Sequence, residues 1–380
     1  MKCQLTLLCL VFAAVIFVHA VPISHDEIAE NSVKGLHLLQ LSSDGEPVWK
    51  TDEEELELKR KGINFFDVTE TYELELELQR EKPNGGASTM ATFPAPSHQS
   101  EVTPLLSKLS TANMQSYLSS LTAFNNRYYK AQSGADASAW ILSTVKSIIS
   151  GRSDITASAF THSWVQPSTI VKIAGTSASS PVTILGAHMD SINLSNPTSG
   201  RAPGADDDGT GTVNLIEALH VLVSSGFKPS TPLEFHWYSG EEAGLLGSNA
   251  IATSYKNAGV KVKAFMELDM SGYFKPGSKE VMALEADYID SGLNNFLKQL
   301  ITEYSRIPWT MDIPCGYACS DHASWYKQGY PSSFPYEAVT GDDDPNVHSS
   351  GDTTSVSGFS WAHSLEFAKI AVAFAYEMTV

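Results

Sequence analysis

Five short stretches put carboxylates and histidines where chemistry can happen. They are Gly186-Ala187-His188-Met189-Asp190, Pro203-Gly204-Ala205-Asp206-Asp207-Asp208-Gly209, Ser239-Gly240-Glu241-Glu242, the single Asp269, and Pro345-Asn346-Val347-His348. Imidazole nitrogen and carboxylate oxygen without thiolate make a donor set suited to zinc, with manganese or cobalt as alternatives. A lone H-x-D means little, because most such pairs are surface or satisfied core groups. Several carboxylates gathered together repel one another, and only cations or protons relieve that repulsion. A bound metal centre is therefore the expectation. A serine hydrolase is disfavoured, because no G-x-S-x-G elbow is present and Ser239 is followed by Gly240-Glu241.

Each polar stretch needs an element to present it. Val182-Thr183-Ile184-Leu185 reads as a buried strand, and Leu233–Tyr238 and Val262–Leu268 as two more. Between them, Thr212–Ser224 reads as a helix stopped by Gly226, and Leu245–Asn257 as one stopped by Gly259. Helical runs are also expected around Pro104–Tyr129 and Ala137–Ser150. Strands alternating with helices predict an α/β fold: a three-layer sandwich with a mostly parallel central sheet flanked by helices. The metal site then lies at the carboxyl-terminal ends of the strands.

The chain has 380 residues, of which 42% are hydrophobic and 18% charged, enough to bury a sizeable core. Its net charge of −18 argues against a nucleic-acid partner, which wants a basic face. Lys2 precedes an apolar run from Leu5 to Val18, and Val18-His19-Ala20 suits signal peptidase. Residues 1–20 thus read as a secretory leader, too short to span a bilayer, on a protein expected outside the cell and off the membrane. Of the 4 cysteines, Cys3 and Cys9 fall in this leader. Cys315 and Cys319 remain and are expected to pair in an oxidising compartment, shaping the turn between them.

Residues 21–87 differ in character. Here 16 Asp and Glu stand against 7 Lys and Arg, a balance of −9, half the net charge of the whole chain. Glu53-Glu54-Glu55-Leu56-Glu57-Leu58 and Glu73-Leu74-Glu75-Leu76-Glu77-Leu78 alternate as amphipathic strands do, although both residue types also favour helices. Lys59-Arg60-Lys61 follows the first stretch; Arg80, Lys82 and Pro83-Asn84-Gly85-Gly86 follow the second. The segment reads as an acidic propeptide cut near its end by a processing protease, which leaves residues 88–380 as the peptidase domain.

The motifs Gly186–Ser191, Pro203–Gly209, Ser239–Gly247 and Cys315–Ser324 resemble those of the co-catalytic dizinc aminopeptidases, and most of all the secreted fungal leucine aminopeptidases. The resemblance runs from about residue 88 to the end. It continues more weakly into Lys61-Gly62-Ile63-Asn64-Phe65-Phe66-Asp67. It implies two zinc ions: one on His188 and Asp269, the other on Glu242 and His348, with Asp207 bridging both. Asp190 is implied to fix the tautomer of His188 from behind. Glu241 is implied to be the general base that takes a proton from the attacking water and passes it to the leaving amine. A cis peptide at Asp207–Asp208 belongs to the same pattern.

The substrates implied are peptides with a free N-terminus, whose first side chain enters an apolar pocket. Met270, Tyr317 and Val347 match that pocket, with Phe334 as a looser candidate, so leucine or another apolar residue is the expected preference. The bland reading of these four is ordinary core. A carboxypeptidase or dipeptidase of the same fold is the runner-up, with Arg201 the only arginine among the metal motifs. A non-catalytic binding module of this fold would have lost ligands, and none is missing. Asn193-Leu194-Ser195 is a sequon that permits glycosylation.

Overall fold

The computed structural model describes residues 22–43, 45–81 and 90–380. The expected leader, residues 1–20, and residues 82–87 at the end of the acidic segment lie outside the described residues. Among the described residues no helix is long and apolar enough to cross a membrane.

The core element is a six-stranded sheet. Its order is Ser332–Ser333, Val262–Glu267, Val182–His188, Leu233–Tyr238, Ser168–Ile173, Ile155–Phe160. The first four run parallel, while the last two join antiparallel. The sheet is therefore mixed, and the parallel pattern expected from sequence covers the half whose strands lead to His188, Glu241 and Asp269. Every residue of Val182–His188 and Leu233–Tyr238 is buried, as central parallel strands covered on both faces must be.

From Val182–His188 the chain passes through helix Gly209–Ser224 to a strand on one side. It returns through helix Leu246–Asn257 to a strand on the other side. Alternate strand residues feed two separate clusters. Val171, Leu185, Phe235 and Trp237 pack with the first helix and with Trp361–Thr379. Ile170, Ile184, Tyr238 and Phe265 pack with the second helix and with Trp325. Right-handed crossovers that leave a strand toward opposite faces open a crevice at its carboxyl end.

The acidic segment departs from the strand reading. Its two Glu/Leu stretches are helices, Asp52–Arg60 and Tyr72–Glu81. The first is set by its ends. Thr51 Oγ1 accepts from the Glu54 amide at 3.3 Å, and the Glu54 carboxylate accepts from the Thr51 amide at 2.9 Å. That capping box, an acidic first turn and Lys59 and Arg60 in the last turn all favour a helix over an extended chain. A small antiparallel sheet, Val48–Thr51, Leu36–Gln40 and Phe66–Asp67, holds these helices.

This segment is docked firmly. Leu38, Phe66, Val68 and Tyr72 share a core cluster with Leu245, Ala318 and Ala323 of the body. Lys327 Nζ donates to Gln40 and Glu75, both at 2.7 Å. The Asp67 amide donates to the Gly244 carbonyl at 3.1 Å.

Trp325 is completely buried, lies nearly parallel to Phe265 with centroids 5.2 Å apart, and donates Nε1–H to Tyr238 Oη at 2.9 Å. Trp325→Ala is expected to lower unfolding free energy by about 3–5 kcal/mol, measured by denaturant titration. A loss below about 1 kcal/mol would show that this face is not packed as described.

Candidate metal centre

His188 is the last residue of its strand, Asp269 follows the end of Val262–Glu267, and Glu241 and Glu242 follow Leu233–Tyr238. Glu241–Ala243 form one tight turn between Gly240 (φ 72°) and Gly244 (φ 97°). Both glycines sit in the left-handed region, where a side chain is strained. Asp208 caps helix Gly209–Ser224. Its Oδ1 accepts from the Gly211 amide at 2.9 Å and the Met270 amide at 3.0 Å, tying the Asp207 and Asp269 loops together. Gly211 permits that approach, because a Cβ there would lie 2.2 Å from the Leu268 carbonyl oxygen. The Asp207–Asp208 peptide is cis.

The geometry converges on Asp207. His188 Nε2 lies 3.1 Å from Asp207 Oδ1 and 3.4 Å from Asp269 Oδ1. His348 Nε2 lies 3.1 Å from Asp207 Oδ2 and 3.1 Å from Glu242 Oε2. Each oxygen of one carboxylate thus faces a different imidazole. Two ligands at about 2.0–2.2 Å from a tetrahedral zinc stand roughly 3.3 Å apart. The spacings fit two such ions.

The electrostatics fit as well. Burial alone would discharge both imidazoles, yet the carboxylates raise His188 well above its ordinary value and His348 to about 10. A field of that sign is what a cation site requires. Asp208 also has an oxygen near His188 and Asp269, while its Oδ1 is committed to the two backbone amides. Met270 and His348 both hold positive φ, 60° and 56°, a strained backbone of the kind found at functional sites.

Several side chains hold the ligands in place. Asp190 Oδ1 lies 3.5 Å from His188 Nδ1, and its two oxygens accept from the amides of Glu241 and Glu242 at 3.0 and 3.2 Å. It therefore fixes the glutamate turn, a role sequence did not imply, and sets a carboxylate behind the imidazole. Ser320 Oγ donates to Asp269 Oδ2 at 2.6 Å, which leaves Oδ1 toward His188. Asp352 accepts from the amides of Asp206 and Asp207. Arg127 is fully buried and donates to the carbonyls of Met189, Pro203 and Gly204 at 2.7, 2.5 and 2.9 Å, bracing the His188 and Asp207 loops. Sequence reasoning missed Ser320, Asp352 and Arg127.

A cavity of about 430 Å³ opens on the site. His188, Asp207, Glu241, Glu242, Asp269 and His348 line it, as do all four pocket candidates, Met270, Tyr317, Phe334 and Val347. Burial holds the Glu241 carboxyl well above the usual range, with the charges of His188 and Lys59 opposing. Cys315 and Cys319 form a disulfide at the cavity wall, with Tyr317 between them. Asn193 lies on a surface loop, where its Nδ2 donates to the Arg201 carbonyl at 2.8 Å.

The N-terminal segment also enters this cavity. Lys59, Asn64 and Phe65 line it, and Asn64 Nδ2 donates to Tyr317 Oη at 2.7 Å. Lys59 Nζ lies 3.0 Å from Glu242 Oε2, with only 8% of its side chain exposed. Burial would lower the charge of Lys59, but Glu242, Glu241 and Asp207 overrule it and keep the ammonium protonated. In sequence this lysine is one of a basic triplet, Lys59-Arg60-Lys61, with no role assigned to it; the structure buries it in the cavity.

Residues 168–375 match the model of peptidase family M28. "Leucine aminopeptidase 1" of Phaeosphaeria nodorum is 44% identical over 354 residues, covering 90% of this chain and 88% of that protein. The crystal structure of Legionella pneumophila LapA aminopeptidase superposes with a TM-score of 0.78 at 29% identity, over 92% of this chain and 96% of that one. A glutaminyl cyclase of Porphyromonas gingivalis shares the fold alone, at 16% identity and a TM-score of 0.55.

Arg127→Lys keeps the charge but replaces a three-carbonyl fork with a point donor. It is expected to weaken zinc binding roughly 10–100-fold, measured by competition with a chromogenic chelator. Unchanged affinity would remove Arg127 from the support of this site.

Proposed function

The chain belongs to peptidase family M28 and is a metallo-aminopeptidase, and from that premise we propose that it is a secreted dizinc exopeptidase removing apolar residues, leucine first, from peptide N-termini. The observation that carries this reading is Asp207, whose two oxygens face His188 and His348 separately. In this reading the fold is a three-layer sandwich with its metals at the strand carboxyl ends.

His188 and Asp269 would hold one ion, Glu242 and His348 the other, and Asp207 both. Bound there, the pair supplies Lewis-acid activation of water and of the scissile carbonyl. Glu241 lines the same cavity but sits in none of the close ligand pairs, which suits a base. It takes the proton from the attacking water and delivers it to the departing amine nitrogen. Burial raises its affinity for a proton, the direction such a relay needs. The cavity's carboxylates favour a substrate ammonium, and Met270, Tyr317, Phe334 and Val347 give the first side chain an apolar wall.

A carboxypeptidase would want a cation for the substrate's terminal carboxylate. Among the described residues lining the cavity, the one cation other than histidine is Lys59, which belongs to the N-terminal segment. That observation favours the aminopeptidase.

We take the N-terminal segment to be an inhibitory propeptide. Its Lys59 ammonium occupies the face of Glu242, and Asn64 and Phe65 narrow the cavity. Export, removal of the leader, cleavage by a processing protease and a glycan on Asn193 complete the proposed maturation.

Glu241→Ala is expected to retain two zincs by elemental analysis while leucyl-amide turnover falls about 10²–10⁴-fold. Full turnover in that variant would exclude Glu241 as the base. Chelation should abolish leucyl-amide hydrolysis and zinc should restore it; activity that survives complete metal removal would overturn the reading. Uncut protein should hydrolyse the same substrate far more slowly than protein trimmed after the acidic segment. Equal rates would show that the segment does not inhibit.

A further inference from the structure

A second histidine–carboxylate cluster lies inside the N-terminal segment, apart from the peptidase centre. His37 comes from strand Leu36–Gln40, Glu55 from helix Asp52–Arg60 and Asp67 from strand Phe66–Asp67. Each offers one ligand atom, and all lie within 4.8 Å of one another. His37 Nδ1 is 2.9 Å from Asp67 Oδ2 and 3.7 Å from Glu55 Oε1. Those spacings bracket the roughly 3.3 Å expected between ligands of a tetrahedral zinc. The ligand pairs around Asp207, at 3.1 to 3.4 Å, fall between those two values.

The surroundings are built for a cation. Glu55 is 7% exposed, and its Oε1, turned toward His37, has no hydrogen-bond partner. A buried carboxylate oxygen left so is costly unless something positive meets it. Asp67 is fixed by its other oxygen, which accepts from the Thr69 amide at 2.8 Å and the Thr69 hydroxyl. The far nitrogen of His37, Nε2, lies 3.0 Å from Asp52 Oδ1, and Lys130 holds Asp52 Oδ2 at 2.7 Å. A carboxylate behind a ligating imidazole is the usual support of a zinc histidine.

Charge points the same way. Burial pushes the Glu55 carboxyl up to about 8, so a bound cation is what would ionise it; ionised, Asp52, Glu55 and Asp67 set three negative charges against Lys130 and, at most, one imidazolium. A divalent ion that displaces the Nδ1 proton to solvent makes the group neutral. The His37 side chain is 27% exposed and borders a cavity of about 530 Å³, which gives an ion a way in.

We infer that His37, Glu55 and Asp67 form a third divalent-cation site, of zinc type, that staples the N-terminal segment together. The site has a consequence for the peptidase centre. Glu55 and Lys59 are four residues apart on one helix, so an ion on Glu55 fixes the helix that delivers Lys59 to Glu242. The staple stiffens the inhibitory segment rather than taking part in hydrolysis.

The test uses the uncut, metal-stripped chain, dialysed against zinc alone, with zinc per chain read by elemental analysis. The uncut protein is expected to bind one equivalent more than Glu55→Gln, a change that keeps size and removes a ligand. His37→Gln should lose the same equivalent, and Asp52→Asn should bind it at least tenfold more weakly. His348→Ala should leave the Glu55-dependent equivalent in place, which separates this site from any failure of the peptidase centre. Should His37→Gln not fold, Glu55→Gln decides alone. Equal zinc content and affinity in the uncut protein and Glu55→Gln would overturn the site and leave His37 as a plain imidazolium.

Discussion

Carboxylates crowded at one rim of a sheet repel each other, and the architecture depends on how that repulsion is answered. Asp207, Glu242 and Asp269 meet at the ends of neighbouring parallel strands and the loops beside them, where burial strengthens every charge. Two divalent ions would answer it, with two imidazoles completing their shells. Everything near the site serves this convergence. Asp208 Oδ1 and the Arg127 guanidinium bond backbone groups of the ligand loops and brace them against one another. Where no cation intervenes, the same field holds protons on His188 and His348.

The N-terminal segment answers the same field in another way. It is acidic overall, yet it presents one buried ammonium, Lys59, to the most crowded carboxylates. Of its own acidic groups, some gather around His37, and Glu75 meets Lys327 of the body. Charge sorting of this kind lets a strongly negative segment dock on a negative cavity. It also explains why the segment needs firm packing, through Leu38, Phe66, Val68 and Tyr72, to hold one lysine in register.

The parallel half of the sheet was readable because its short apolar or alternating runs end abruptly in polar residues. Val182–His188 is mostly apolar, Leu233–Tyr238 alternates through Glu234 and His236, and Val262–Glu267 is apolar apart from Lys263 and its last residue. The antiparallel strands Ile155–Phe160 and Ser168–Ile173 were not readable, since serine and threonine interrupt their apolar pattern. The expected long helix around 104–129 is two helices, Gln99–Leu106 and Thr111–Leu121, followed by irregular chain that carries Arg127. Arg127 escaped notice for a physical reason: its partners are carbonyls, which every residue has, so no motif marks it. Lys59 escaped because a basic triplet looks the same in sequence whether it awaits a protease or fills a cavity. The Glu/Leu repeats suit strand and helix equally, and capping at Thr51 decided the first of them.

The account's central claim is that one carboxylate serves two metal ions. Anomalous scattering at the zinc edge, from crystals of the protein grown with zinc, measures this directly. Two strong peaks about 3.5–4 Å apart are predicted, one beside His188 and Asp269, the other beside His348 and Glu242, with Asp207 between them. A single peak, or peaks that leave Asp207 uncoordinated, would contradict it.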